Sequence, residues 1–336
     1  MAALRALLAC LVLASLASGC ISDTTSSVTG MPDAADPPQG SRAGSPTAHG
    51  APDRDEGSVD ASPEGGQFVA RRTVTIANDF GGASRSDLVL KSFNGGIALE
   101  PSTDGGYRLV AELYGRGTTQ DEARQALDLL TLTNTDDLRQ GTLALSFVLA
   151  SGTPGAFPLP IGLPNGVSNG ATFHLAVPAE PSHQIEVASS NGGIATERLH
   201  GSRLSADSSN GGISVDGAFA ALALQTSNAG LSIDGTFHDV VGRTSNGGIS
   251  ADLRPTRSGS VDLSTSNAGI HVDVPRDESA FDITAATSNA EVRFDLEGRE
   301  SEGDDHGTFR SGDWSSAGVK VTMELGTSNA SIAVED

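Results

Sequence analysis

The sequence predicts an all-β fold, a parallel β-solenoid whose coils hold about 20 residues each. A short phrase recurs eight times: a polar residue, Asn, two small residues and an aliphatic residue. From Asn191 to Asn289 the gaps between these asparagines are 19, 18, 18, 21 and 22 residues, and the last gap is 40. Aromatic residues are only 4% of the chain, which suits coils that bury a few modest aliphatic side chains against their neighbours. The asparagines are Asn94, Asn191, Asn210, Asn228, Asn246, Asn267, Asn289 and Asn329.

A stack of hairpins is the competing architecture, because Asn-Gly between strands is a strong hairpin signal. Four copies, however, place Ala after Asn, as at Ala229, and a type I′ turn needs positive φ at both central residues. A corner that needs positive φ at Asn alone tolerates either residue. We therefore expect stacked coils, right-handed by the crossover rule, with the eight asparagines as structural corners in a hydrogen-bonded ladder.

Other elements follow from local patterns. Alternating apolar residues predict strands on both sides of each asparagine, for example Ile213-Ser-Val215 after Asn210. Thr119 and Glu122 have the spacing of a capping box and predict a short helix over 120–130. The Gly- and Pro-rich stretch 151–170 predicts a long loop. We interpret 98–184 as an insertion of strands and a helix that caps the open end of the stack.

The N-terminus has the order of an export signal. Arg5 precedes a short apolar run, and small residues then lead to Cys20. The residues Ala17-Ser-Gly-Cys20 resemble a bacterial lipobox, although Ala17 stands where Leu is usual. The resemblance implies cleavage after residue 19 and diacylglycerol on Cys20. We therefore expect a signal peptide over 1–19, with a membrane as the partner of Cys20.

Two further segments complete the predicted organisation. Residues 20–67 are rich in Pro, Ser, Gly and Asp and have almost no large apolar residues, which predicts a disordered tether. Residues 68–336 are the predicted solenoid domain. Both cysteines of the chain, Cys10 and Cys20, precede this domain, so the domain has no disulfide framework.

Charge excludes some partners. The formal net charge is -21, which argues against nucleic acid and against adhesion to anionic lipid, since both need a basic surface. The simplest interpretation of the charge is solubility of an exposed repetitive surface.

No pattern in the chain predicts catalysis. The histidines have no metal-ligand spacing, and no nucleophile elbow or phosphate loop is present. We therefore expect no catalytic residue, no cofactor, no metal and no enzymatic activity.

Two acidic features have more than one interpretation. Asp216, Asp234, Asp252 and Asp273 are expected to form a column, as corner residues or as a metal or sugar site. The acidic segment 297–313 is interpreted as a solvated loop, with Ca²⁺ binding as the alternative.

The run "FHLAVPAEPSHQIEVASSNGGIATERLHGSRLSADSSNGGISVDG" resembles the adhesin-like β-strand-repeat family, a bacterial and archaeal domain of unknown function. The likeness covers about 68–336. It implies a β-helix-like fold at the cell surface, and it implies no enzyme and no known binding residue.

These observations predict an exported lipoprotein, anchored to the cell envelope, whose domain is periplasmic or extracellular. We expect an adhesin-like binding or structural module for an unknown envelope or surface partner. One alternative is a regulatory protein of envelope stress, because relatives in the family look associated with such systems. The other is a polysaccharide-active β-helix enzyme. This alternative is disfavoured because few Tyr and Trp side chains are available to stack on sugars: Tyr107, Tyr114 and Trp314.

Overall fold

The computed structural model describes residues 49–152, 166–180, 182–275, 279–296, 299–303 and 305–336, without side chains for 299–303. In this part of the chain the fold is all-β, as predicted, with 22 strands joined in one mixed sheet. The predicted signal peptide (1–19), Cys20 and the predicted tether up to residue 48 lie outside the described residues.

The N-terminal strands begin inside the segment predicted to be a disordered tether. They are β1 (Asp53–Glu56), β2 (Asp60–Glu64), β3 (Gln67–Asp79), β4 (Arg85–Ser92), β5 (Ile97–Ser102) and β6 (Gly106–Gly117). Both β1 and β2 pair antiparallel with β3, so the predicted boundary at residue 67 is wrong. Every residue of β1 is exposed, and the strand therefore lacks the apolar alternation that reveals a buried strand. Backbone pairing holds it, together with the Arg54 guanidinium, which donates to the Leu132 carbonyl at 3.3 Å.

The predicted helix is α1 (Gln120–Asp128), and its capping box is present. The Glu122 N–H donates to Thr119 Oγ1, and the Thr119 N–H donates to Glu122 Oε2, both at 3.2 Å. The helix ends before residue 130 because Leu130 begins the next strand. It lies close to β6, where a Cβ on Gly115 would stand 2.3 Å from the Ala123 carbonyl oxygen. No helix in the described residues is long and apolar enough to span a membrane.

The predicted loop 151–170 is shorter at both ends than expected. Its residues 153–165 lie outside the described part, and strands flank them: β7 (Leu130–Arg139), β8 (Thr142–Ser151) and β9 (Ser168–Pro178). Asn169 explains the C-terminal flank, because its buried amide donates to the Ala126 carbonyl at 2.9 Å and to Ser151 Oγ at 3.2 Å. Because Ser168, Asn169 and Gly170 are typical of loops, the sequence did not reveal that they pair with β6.

Regular strands follow in the region of the repeat. They are β10 (Ser182–Ser189), β11 (Ile194–Ser208), β12 (Ile213–Thr226), β13 (Leu231–Arg243), β14 (Ile249–Leu253), β15 (Gly259–Ser264), β16 (Ile270–Asp273), β17 (Ala280–Ala286) and β18 (Val292–Leu296). The last strands are β19 (Arg299–Gly303), β20 (His306–Arg310), β21 (Lys320–Gly326) and β22 (Ile332–Glu335).

Parallel pairing organises these strands into two stacks. Stack A holds the strands that lead into the corners, in the order β8, β4, β10, the second halves of β11, β12 and β13, then β15, β21 and β17. Stack B holds the strands that leave the corners, in the order β9, β5, the first halves of β11, β12 and β13, then β14, β16, β22 and β18. The inward aliphatic residues of both stacks belong to one buried cluster, which is the core of the domain.

Spatial order departs from chain order at both ends. The last pair, β21 and β22, lies between β15–β16 and β17–β18, which precede it in the chain. Near the other end, β4 and β5 lie between β8–β9 and β10–β11. The final repeat thus returns to a place inside the stacks.

Antiparallel strands cover the two ends of the stacks. At the N-terminal end β7 pairs with β8, and β6 pairs with β9. At the C-terminal end β19 pairs with β18, and β20 pairs with β17. The acidic segment 297–313 is therefore largely strand, although Glu297 and Asp304 lie outside the described residues, and its interpretation as a loop was wrong. Its charges suit edge strands, where they discourage further pairing.

Candidate binding face

Each corner of the repeat contains a buried hydroxyl that the pattern around asparagine did not single out. The residue two places before each Asn is Ser or Thr, and none is more than 8% exposed: Ser92, Ser189, Ser208, Thr226, Thr244, Thr265, Thr287 and Thr327. Each of these hydroxyls donates to a backbone carbonyl oxygen of a neighbouring segment of the stacks; Thr244 Oγ1, for example, donates to Ala229 O at 2.9 Å. Thr244 Oγ1 also accepts from the Gly247 N–H at 3.2 Å. The hydroxyls thus join neighbouring segments of the stacks inside the domain.

The eight predicted corner asparagines form one continuous ladder. In space they follow the order Asn94, Asn191, Asn210, Asn228, Asn246, Asn267, Asn329 and Asn289. Each side-chain amide donates to the Oδ1 of the preceding member; the bond from Asn246 to Asn228, for example, is 2.9 Å. All but Asn94 are exposed, so this ladder is a surface feature.

The backbone of these corners differs from the prediction. Among the described asparagines only Asn94 has positive φ, at 53°. The expectation of positive φ at every corner was therefore wrong. The corners continue the hydrogen bonding of the stacks instead, since the Asn210 N–H donates to Ser190 O and the Asn246 N–H to Ser227 O, both at 3.0 Å. A corner bonded in this way does not need a left-handed residue.

An acidic column runs along the outward side of stack B. The four predicted carboxylates pair in register from strand to strand, and the column continues through two residues that the sequence reading did not include: Asp216, Asp234, Asp252, Asp273, Glu335 and Asp295. Arg254 bridges two members, with Nη2 at 2.9 Å from Asp234 Oδ1 and 2.7 Å from Asp252 Oδ2. The Asp252 hydrogen bond raises the pKa of Arg254.

A row of small residues lies beside the acidic column on the same face. Ser214, Ser232 and Ser250 occupy this row on β12, β13 and β14, two residues before the respective aspartates. On β16 the row contains His271. Between this row and the corners is an open groove of about 710 Å³ whose walls are mainly Gly, Ala, Ser and Ile. We define the row, the groove and the acidic column together as the candidate binding face.

A buried Ser–His pair lies elsewhere, and it has a structural explanation. Ser86 Oγ is 2.6 Å from His183 Nδ1, and His183 Nε2 is 2.7 Å from Pro178 O. The second contact requires a proton on Nε2, so Nδ1 accepts from the serine hydroxyl. Both residues are 0% exposed, and burial lowers the pKa of His183. A pair shut off from substrate in this way holds β4 and β10 together and does not form an active site.

A second buried polar cluster fastens the start of the described chain. His49 Nε2 lies 2.5 Å from Asp136 Oδ1, and Asp136 Oδ2 accepts from Tyr107 at 2.5 Å and from Asn78 at 2.9 Å. The side chains of His49 and Asp136 are only 8% and 2% exposed. Burial, followed by the bond to Asp136, raises the pKa of Tyr107. Sequence reasoning missed this cluster because His49 stands alone within a segment of tether-like composition.

Comparisons with known proteins provide only distant likenesses. No protein-family model matches the chain, and no curated protein matches it. Among solved structures it is similar to a candidate cell adhesion protein from Clostridium sporogenes, with 10% identity, TM-score 0.39, and coverage of 79% of this chain and 99% of that chain. A candidate adhesin from Bacteroides fragilis has 13% identity, TM-score 0.31 and coverage of 77% and 96%. Another from Parabacteroides distasonis has 6% identity, TM-score 0.28 and coverage of 78% and 96%. Likenesses of this size assign neither a family nor a function.

Proposed function

We propose that the protein is a cell-envelope lipoprotein that presents a parallel β-solenoid as an adhesin-like binding or structural module. The observation that carries the proposal is the candidate binding face, whose side chains repeat from strand to strand along stack B. A repeated exposed face suits a long or repetitive partner, because each coil offers the same groups at the strand spacing of about 4.8 Å.

The solenoid is the finer part of this proposal. Its support is the register of β11, β12 and β13, where each strand continues from stack B into stack A and pairs with the next copy along most of its length. Ile213 pairs with Leu231, and Leu231 with Ile249, so successive partners are 18 residues apart. One coil per repeat accounts for both stacks and for the asparagine ladder.

Binding, with no enzymatic turnover, is our proposal for the activity. The acids of the candidate binding face recur at the period of the repeat, and the exposed fractions of Asp234 and Asp252 are 52% and 45%. A catalytic site usually needs different groups that converge from different elements. A column of like carboxylates on an open face is better suited to contact with a partner.

Membrane anchoring through Cys20 is tested with two cysteine variants. Cys20→Ser should release the protein from the membrane fraction and abolish incorporation of labelled fatty acid. Cys10→Ser is the matched control, because Cys10 lies in the apolar run before the expected cleavage site. It should leave both readouts at the wild-type level. Equal membrane binding by Cys20→Ser and wild type would contradict lipidation.

The binding face is tested by photo-crosslinking in intact cells. A photoreactive amino acid at Ser214 probes the face, and one at Ala223 is the control, since Ala223 lies on stack A of the same strand and is also partly accessible. We expect crosslinked partners from position 214 and at least tenfold fewer from position 223. Equal yields at the two positions, or none at 214, would contradict the assignment of the face.

A further inference from the structure

The row of small residues contains a different type of side chain on one strand. Ser214 pairs with Ser232, Ser232 with Ser250, and Ser250 with His271. His271 pairs in turn with Ala333, whose short side chain leaves space beside the imidazole. A single imidazole therefore replaces the repeated serine, directly beside the acidic column.

The imidazole meets two carboxylates at short range. Asp273 follows two residues later on the same strand, and Glu335 is the cross-strand partner of Asp273. His271 Nε2 lies 3.4 Å from Asp273 Oδ2 and 3.2 Å from Glu335 Oε1. The three donor atoms all lie within 4.8 Å of one another, and the side chains are 43%, 46% and 51% exposed.

The two distances from His271 Nε2 to the carboxylate oxygens are close to those that a zinc ion requires. Zinc binds imidazole nitrogen and carboxylate oxygen at about 2.0–2.2 Å in tetrahedral geometry, so two such ligands stand about 3.3–3.6 Å apart. One imidazole with two carboxylates is a donor set for zinc or a similar transition metal, whereas Ca²⁺ and Mg²⁺ take oxygen ligands.

The neighbouring part of the column supports a cation at this place. Between Asp234 and Asp252, the positive group is the Arg254 guanidinium. Between Asp273 and Glu335, the corresponding bridge is His271, which carries a charge only when it is protonated. An imidazole nitrogen and two carboxylate oxygens that converge in this way are groups that can bind a metal ion together.

We propose that His271, Asp273 and Glu335 form a three-ligand site for Zn²⁺ on the candidate binding face. Three protein ligands leave a fourth position open to water or to a group of a partner. Since Asp273 and Glu335 belong to β16 and β22, the bound ion also links the returning C-terminal strand to its neighbour. This inference goes beyond the proposed binding function, and it does not depend on lipid anchoring or on a partner.

The test is calorimetric titration of the purified full chain with Zn²⁺. We expect one saturable site in the wild type that His271→Ser removes, so that stoichiometry falls by one. Serine is the appropriate replacement because it occupies the same row on three preceding strands. The unfolding midpoint of His271→Ser without metal should therefore match that of the wild type. Glu335→Gln, which keeps shape and removes charge, should weaken this site about tenfold.

His174→Ser is the matched control. His174 lies in the same row at the other end of stack B, pairs with Ala98 and has Ala176 two residues later in place of an acid. It should bind Zn²⁺ as the wild type does. In a second readout, Zn²⁺ should raise the unfolding midpoint of the wild type and of His174→Ser but not that of His271→Ser.

Three outcomes would overturn the site. The first is unchanged Zn²⁺ binding by His271→Ser, which would place the metal on other groups. The second is an equal loss with His174→Ser, which would indicate adventitious binding by exposed imidazoles. The third is Ca²⁺ binding that needs Asp273 and Glu335 but is insensitive to His271→Ser, which would make the site an oxygen-ligand site.

Discussion

A chain that ends at Gly318 should lose cooperative unfolding and become prone to aggregation. The truncation removes β21 and β22, which pair on both sides within the stacks. Five buried apolar side chains go with them: Val321, Met323, Leu325, Ile332 and Val334. At about 1.5–3 kcal/mol for each buried side chain, the loss is on the order of 10 kcal/mol, which is comparable to the whole stability of a typical domain. Urea unfolding followed by circular dichroism measures the effect.

The control for this truncation removes an end strand. Replacing residues 299–310 with a Gly-Ser linker of equal length deletes β19 and β20, which pair with the stacks on one side only. This variant should still unfold cooperatively, at a lower midpoint. A synthetic peptide of residues 319–336, added to the truncated chain, should restore part of the lost structure. A truncated chain with the wild-type midpoint would show that the returning strands contribute little.

Gly235→Ala should destabilise the domain by about 2–4 kcal/mol, since it combines backbone strain with a steric clash. Gly235 has φ of 136°, and a Cβ there would lie 2.0 Å from the backbone oxygen of Gly217, its partner on β12. The backbone of β13 would have to move away from that of β12. Thermal unfolding is the measurement.

Gly318→Ala is the matched control for this glycine. A Cβ at Gly318 has no heavy atom within 4 Å, and Gly318 has no positive φ, so its replacement should leave the midpoint within experimental error. If Gly235→Ala had an equally small effect, β12 and β13 would be spaced loosely enough to accept a side chain at this position.

Local features of the fold were the most predictable from sequence. The strands after Asn210 and Asn228, the helix cap at Thr119 and the alignment of the corners all follow from residue patterns that act over a few positions. The return of β21 and β22 between earlier strands was not predictable, because the pairing of β-strands depends on contacts remote in sequence. For the same reason the sequence did not predict that the gap of 40 residues before Asn329 contains the end strands β19 and β20.

The candidate binding face also has some features that the sequence predicted and others that it did not. Asp216, Asp234, Asp252 and Asp273 follow their asparagines at similar distances, so the period alone predicted that they align. The proximity of Glu335 to Asp273 depends on the place of β22 in the stack, which no local pattern encodes. The cluster around His49 was hidden for a related reason, since its partner Asp136 lies 87 residues away.

The asparagine ladder also has an electrical direction. The seven side-chain amides after Asn94 all donate toward the Asn94 end, so the amide dipoles add head to tail. Each bond polarises the next, which strengthens a chain of hydrogen bonds beyond the sum of its isolated pairs. The Asn94 end therefore carries partial positive charge, and the carbonyl end at Asn289 carries partial negative charge. The row of corner side chains is consequently polarised along its length, with its negative end at Asn289.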